Sequence, residues 1–204
     1  VNQLFRNIMW GQRDNFLDVP TDCPQRDERR GWLGDAQVFI RAACYNMDVL
    51  SFFRRWLRDV ASSRSPEGAY PAYAPYHGAK NAVSGEAGWA DAGIICPWQL
   101  YLFYGDKALL EEHYAAMTGY LEYQRRRAPE GIFAQATFGD WLNHNAHTPE
   151  ELIGTAFYAN NAHILSRVAA VLGKSTDAQN FRELAVTIKM AFYRRFHAQL
   201  TTQT

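Results

Sequence analysis

The stretch Asp22–Met47, DCPQRDERRGWLGDAQVFIRAACYNM, changes character halfway along. Its first part, through Asp35, carries four carboxylates, three arginines and a tryptophan around Pro24, Gly31 and Gly34, a mixture that does not make continuous helix. Its second part is periodic. Ala36, Phe39, Ile40, Ala43 and Met47 share one stripe at helical spacing, which predicts a buried helix starting where the acidic motif ends.

The same period recurs along the chain. Phe52, Phe53, Trp56, Leu57 and Val60 predict a second helix, Trp89 to Tyr104 a third, and Leu110, Tyr114, Met117 and Leu121 a fourth with Asp106 as its N-cap. Pro97 is expected to bend the third helix or mark its boundary. Ile153 to Leu172 and the stripe Phe181, Leu184, Ala185, Ile188, Phe192 add two more, with Gly173 as the stop between them. No alternating run argues for a sheet. Two intervals rich in Gly, Pro and aromatics, Ser65 to Gly85 and Pro129 to Pro149, are longer than a connector requires and suggest lined, functional loops. Short turns at Asp48, Asp106 and Gly173 alternate with these long loops. That alternation predicts an all-α fold of stacked helical hairpins, closer to a helical toroid than to an up-down bundle, with the decorated ends on one face.

Bulk properties narrow the function. The 204 residues suffice for one substantial core, and 21 basic against 21 acidic residues leave no net field to attract nucleic acid or an anionic membrane. The longest apolar run, GIICPWQLYLFY at Gly93–Tyr104, is too short to span a bilayer. Cys23, Cys44 and Cys96 lack the number and spacing of a disulfide framework or a zinc site. There is no phosphate-binding GK[ST] loop and no GxSxG nucleophile, and nothing calls for a cofactor or a metal. His144 and His147 have ligand-like spacing in a polar loop that is better explained as solvated. The opening VNQLFRNIMW has neither an initiator Met nor signal-peptide order, and reads as the start of an excised internal piece.

The acids of the opening motif must be held against their mutual repulsion. Arg26, Arg29 and Arg30 can keep some of them ionised, whereas an acid left without an arginine beside Trp32 would have its pKa raised by desolvation. Unequal neighbouring carboxyls are what glycoside hydrolysis requires, and a tryptophan offers an apolar face to a sugar ring. An arginine–carboxylate network that merely ties the chain to the first buried helix would concentrate charge equally well.

The order of residues decides between them. DCPQRDERRGWLGDA at Asp22–Ala36 resembles the signature of the α-L-rhamnosidases of glycoside hydrolase family seventy-eight, GWADA at Gly88–Ala92 resembles that family's next segment, and GDWL at Gly139–Leu142 a third. The resemblance implies a partial (α/α)6 toroid, with residues 1–204 the N-terminal part of a six-hairpin catalytic domain, and an inverting mechanism on a rhamnose-containing glycoside. It implies Glu28 as general acid, Asp22, Arg26 and Asp35 as ligands of the sugar hydroxyls, and Trp32, Trp89 and Trp141 as apolar walls. It also implies a general base beyond Thr204, so the chain would need the downstream half of the toroid, would be nearly inactive alone, and would expose apolar faces that favour self-association.

Rival readings are a carbohydrate-binding or scaffold protein that keeps the pocket without catalysis, and another (α/α)6 glycosidase or lyase. Glu86 is a candidate alternative carboxylate, read more simply as an exposed acid at a helix start. Asp140 reads equally as a sugar ligand or a loop cap, and His163 as a satisfied core histidine. Arg125, Arg126 and Arg127 complement a helix C-terminus. Tyr70, Tyr73 and Tyr76 either pack their loop or line a groove for the sugar beyond the cleaved bond.

Overall fold

The structure, a computed structural model, describes residues 1–128 and 130–200; Pro129, where the second long interval begins, and the chain end at Thr204 lie outside the described residues. Among the described residues there are seven α-helices and no strands: α1 (Asn2–Asn15), α2 (Leu33–Asn46), α3 (Leu50–Ser62), α4 (Ala92–Tyr104), α5 (Lys107–Arg127), α6 (Glu150–Val171) and α7 (Ser175–Leu200).

The layers follow from which faces are apolar. Helix α4 is apolar around most of its circumference, AGIICPWQLYLFY, and packs against α2, α3, α5 and α6, with Leu102 near its C-terminal end exposed. It runs through Pro97 without ending there, and it begins at Ala92, after a turn at residues 87–91 that includes Trp89. Helix α3 is the opposite case. Phe53, Trp56, Leu57 and Val60 are buried, while Arg54 and Arg58 reach Glu112 on α5 and Arg54 also reaches Asp106 at 2.9 Å. Asp106 caps α5 as expected, its carboxylate accepting from the Leu109 N–H at 3.2 Å, a bond worth about 1 kcal/mol. Helix α7 lies along α6 after the turn at Gly173.

No helix is expected from the sequence over Asn2–Asn15, where the structure has α1. Leu4, Phe5, Ile8 and Trp10 of α1 are exposed and only Gln12 is buried; that side chain donates to the Ala43 carbonyl and accepts from Asn46, both on α2. Val186, Met190 and Tyr193 of α7 are exposed at the other end of the chain. None of the described helices is long and apolar enough to cross a membrane.

Turns of two or three residues join α2 to α3, α4 to α5 and α6 to α7, whereas residues 16–32, 63–91 and 128–149 are long connections leading into α2, α4 and α6. Antiparallel alternation therefore brings all three to one end of the molecule. Backbone bonds fasten them together. Leu33 N–H donates to the Ala72 carbonyl at 2.8 Å, Ala74 N–H to the Gly31 carbonyl at 2.9 Å, and Ala87 N–H to the Gln135 carbonyl at 2.9 Å. Gly31 is where the chains pass closest: a Cβ there would lie 2.6 Å from the Ala74 carbonyl oxygen.

Candidate active site

Asp22, Arg26, Glu28, Trp32, Asp35, Trp89 and Trp141, chosen from three separate stretches of sequence, line one cavity of about 450 Å³ together with Cys23 and Phe138. The first connection supplies the charge. Asp22 and Arg30 close it into a loop, each backbone N–H donating toward the other residue, at 3.1 Å to the Arg30 carbonyl and at 3.2 Å to the Asp22 carboxylate. Arg29, inside that loop, sits at φ 47°, a left-handed conformation that non-glycine residues adopt at some cost.

Glu28 lies at the centre of this loop's interactions. One carboxylate oxygen accepts from the Trp32 indole N–H at 2.8 Å and the other from the Arg26 guanidinium at 2.5 Å. The acid beside Trp32 thus does have an arginine, and the carboxyl raised by desolvation is a different one. Asp35, in the first turn of α2, is pushed up by burial and then by the negative charge of Asp22. Burial acts the same way on Asp22, but hydrogen bonds with the side chains of Cys23 and Glu28 and with backbone N–H groups outweigh it and hold that carboxyl below its ordinary value. A carboxylate oxygen of Asp22, one of Glu28 and the sulfur of Cys23 all lie within 4.8 Å of one another.

The second and third connections supply the aromatic wall. Phe138 sits in its middle, with its ring 4.7 Å from Trp89, 6.1 Å from Trp32 and 6.3 Å from Trp141. Sequence reasoning missed Phe138, although it immediately precedes the GDWL segment. Trp89 is held by a buried polar network. Asp91, fully buried, accepts from the Gly88 N–H at 2.6 Å, from the Asn161 amide at 2.5 Å, and at 3.4 Å from Tyr120 and Gln124. The Gly88 carbonyl accepts from Gln37 of α2. The indole then lies on the start of α2 where Gly34 has no side chain, since a Cβ there would meet the indole nitrogen at 2.8 Å.

Glu86 corrects its expectation. It is buried, not an exposed helix-start acid, and it accepts from Ser84 at 2.8 Å and from both the N–H and the hydroxyl of Thr137, at 2.8 and 2.6 Å. It therefore pins the connection carrying Phe138 to the one carrying Trp89. Asp140 stays outside the cavity and accepts from Thr148 at 3.1 Å, the loop role. His163 is exposed on α6 and does not serve the core, and His144 and His147 are exposed in their loop as expected.

The arrangement offers a hydroxyl-rich ring an aromatic face, several charged hydrogen-bonding groups, and two adjoining carboxyls in unequal surroundings. Comparisons with known proteins agree with this chemistry. The profile described as the bacterial alpha-L-rhamnosidase 6 hairpin glycosidase domain matches residues 1–204. An alpha-L-rhamnosidase of Streptomyces avermitilis is 42% identical over 193 residues, covering 94% of this chain and 18% of that protein. The crystal structure of the Streptomyces avermitilis alpha-L-rhamnosidase complexed with L-rhamnose superposes with a TM-score of 0.88 at 41% identity, over 95% of this chain and 18% of that one. An alpha-L-rhamnosidase structure from Dictyoglumus thermophilum gives 0.89 at 38% identity, over 96% and 22%. The chain spans about a fifth of the length of these relatives. A full-length profile match, close identity and a shared all-helical architecture together place the chain in the family of bacterial α-L-rhamnosidase six-hairpin glycosidase domains.

Proposed function

We propose that this chain contributes the acid half of a rhamnoside-hydrolysing site that acts with inversion. The observation that carries the reading is the convergence of seven residues, drawn from three connections and the start of α2, on one cavity. Glu28 is the general acid: it is positioned by the Trp32 indole and the Arg26 guanidinium, and it adjoins a carboxyl held ionised. Asp22, Arg26 and Asp35 take the sugar hydroxyls, and Trp32, Trp89 and Trp141 take its apolar faces.

Asp22 is too near to be the base of an inverting pair. Inversion needs roughly 6.5–9.5 Å between the two carboxyls to admit a water, and Asp22 and Glu28 approach within 4.8 Å. The resemblance to the family puts the base in chain beyond these residues, in the rest of a six-hairpin ring of which residues 1–204 are the N-terminal part. The relatives support the substrate: one is named alpha-L-rhamnosidase, and its structure holds L-rhamnose.

The test is hydrolysis of para-nitrophenyl α-L-rhamnoside by this chain and by its full-length form, with the anomer released followed by proton NMR. Turnover in the full-length form alone, with the anomer inverted, is expected. On a rhamnosyl-hexose substrate, whose alkoxide leaving group needs the proton, Glu28→Gln there should lower kcat by at least about a hundredfold, the usual worth of general acid catalysis, while rhamnose still binds. Retained configuration, or full turnover by Glu28→Gln, refutes the assignment; rhamnose binding without any turnover favours the non-catalytic binding protein.

A further inference from the structure

Helices α5 and α7 both pack on α6 and scarcely touch each other, and the space left between them is a cavity of about 890 Å³. It shares no lining residue with the active-site cavity and has nearly twice its volume. That size lies toward the upper end of small-molecule sites, roughly 300–1,000 Å³. The two helices are joined where the Tyr114 hydroxyl donates to the Asp177 carboxylate at 2.7 Å. We propose that this cavity is a second carbohydrate site, and that it takes a neutral glycan segment of two sugar rings.

The first argument is a hydroxyl without a partner. Tyr158 of α6 lines the cavity and is only 1% exposed, yet among the described residues nothing forms a hydrogen bond with its phenol. Burial raises the pKa of that phenol, so near neutral pH it remains a protonated donor. The charges that act on it are those of Arg125 and Glu122, which line the same cavity, so the hydroxyl faces inward toward them. A buried polar group left unsatisfied costs stability, and an acceptor on a ligand in the cavity supplies the missing bond.

The second argument is that the charged groups are already engaged. Glu122 pairs with Arg125 at 3.5 Å, Asp177 accepts from Tyr114, and Glu183 accepts from the Gln179 amide at 2.6 Å. What the cavity leaves open is therefore a hydroxyl and not a charge. Three carboxylates against one guanidinium also repel a phosphate or a uronate. Phe181, Leu184 and Ile188 make much of the α7 wall apolar, which suits the ring faces of a sugar. The active-site cavity, at about 450 Å³, is read as holding one ring, and on that reading the larger cavity holds two.

The experiment titrates the full-length form by calorimetry with cellobiose, maltose and lactose while saturating L-rhamnose occupies the active site. At least one of these disaccharides should bind once per chain. Tyr158→Phe should weaken that binding roughly threefold to tenfold, the worth of one neutral hydrogen bond. Its melting temperature should hold or rise, because the fold gives that hydroxyl no partner. Asn180→Trp, on the exposed rim of the cavity, should abolish binding by filling the space. Neither substitution should change the affinity for L-rhamnose titrated alone, and since every readout is binding, the test stands whether or not Glu28 is the acid. No saturable binding of any neutral disaccharide, or binding that survives both substitutions, overturns the proposal. Tighter binding of spermidine or digalacturonate overturns its ligand class. Absent binding together with a lowered melting temperature for Asn180→Trp overturns it as well, and marks the cavity as a contact with another part of the full-length chain.

Discussion

Asp91 carries no charge to the cavity, yet it controls the turn that presents Trp89, and its effect is measurable through pH. Burial of this carboxyl raises its pKa from the ordinary 3.8 to about 6, even though Gly88, Asn161 and Tyr120 donate to it. A rise of roughly two pKa units at about 1.4 kcal/mol each amounts to about 3 kcal/mol. Because the folded pKa lies above the unfolded one, the folded chain holds the proton more tightly between the two values. Stability is therefore fullest below pH 3.8, falls as pH rises toward about 6, and then levels off.

Asp91→Asn cannot ionise, so it lacks this pH-dependent loss. It carries a pH-independent cost instead, because its amide NH₂ puts two hydrogens among groups that donate to Asp91. Urea unfolding of both chains by circular dichroism, at intervals from roughly pH 4 to pH 7.5, should show the cost of the substitution shrinking as pH rises, by about 2 to 3 kcal/mol over the window. A difference flat to within about 1 kcal/mol would refute the raised pKa. A cost that grows with pH would mean that the ionised form is the favoured one, held like a salt-bridged acid, and would reverse the argument.

Gly34→Ala adds a better helix former to α2, yet places a Cβ 2.8 Å from the Trp89 indole nitrogen. In the full-length form, KM for the rhamnoside should rise about three- to tenfold while the melting temperature stays within a few degrees, the methyl being bought at the expense of the wall; an unchanged KM in steady-state kinetics would show that α2 does not place Trp89. The isolated chain exposes apolar side chains on α1 and α7, and in sedimentation velocity it should form species above its 23.3 kDa monomer as concentration rises. Phe5→Asp with Met190→Asp should return it toward the monomer, and a wild-type monomer that persists at high micromolar concentration would count against those faces being sticky.

Six of the seven helices among the described residues were legible from their apolar residues, as a stripe in α3 with Phe53, Trp56, Leu57 and Val60 and as a nearly continuous run in α4. Helix α1 carries Leu4, Phe5 and Ile8 at helical spacing as well, but turns them outward, so that stripe does not mark a buried face here. The seven proposed site residues were legible for another reason: they sit in short ordered motifs whose meaning came from resemblance, whereas composition alone favoured a structural ion network. What holds them in place is written nowhere locally. Glu86 finds its partner Thr137 at a separation of 51 residues and Asp91 finds Asn161 at 70, so an acid that looks exposed beside a glycine-rich turn proves to be a buried acceptor.

That division follows from how the fold makes its site. The helices need only an apolar stripe and a stop, a local requirement, so they can be read one at a time. The cavity needs three connections to reach the same end of the molecule and stay there, and for that each one must spend buried polar groups on the others. Asp91 fixes the Trp89 turn to α5 and α6, Glu86 ties it to the Phe138 connection, and Gln37 ties it to α2. A charged motif such as Asp22–Asp35 can then keep Asp22 and Glu28 within 4.8 Å, because the loop bearing them is closed on itself by Arg30 and backed by an aromatic wall that these buried acids hold still. Loss of such a pin should therefore show first as misplacement of the tryptophans, and so in sugar binding, before it shows in the helices.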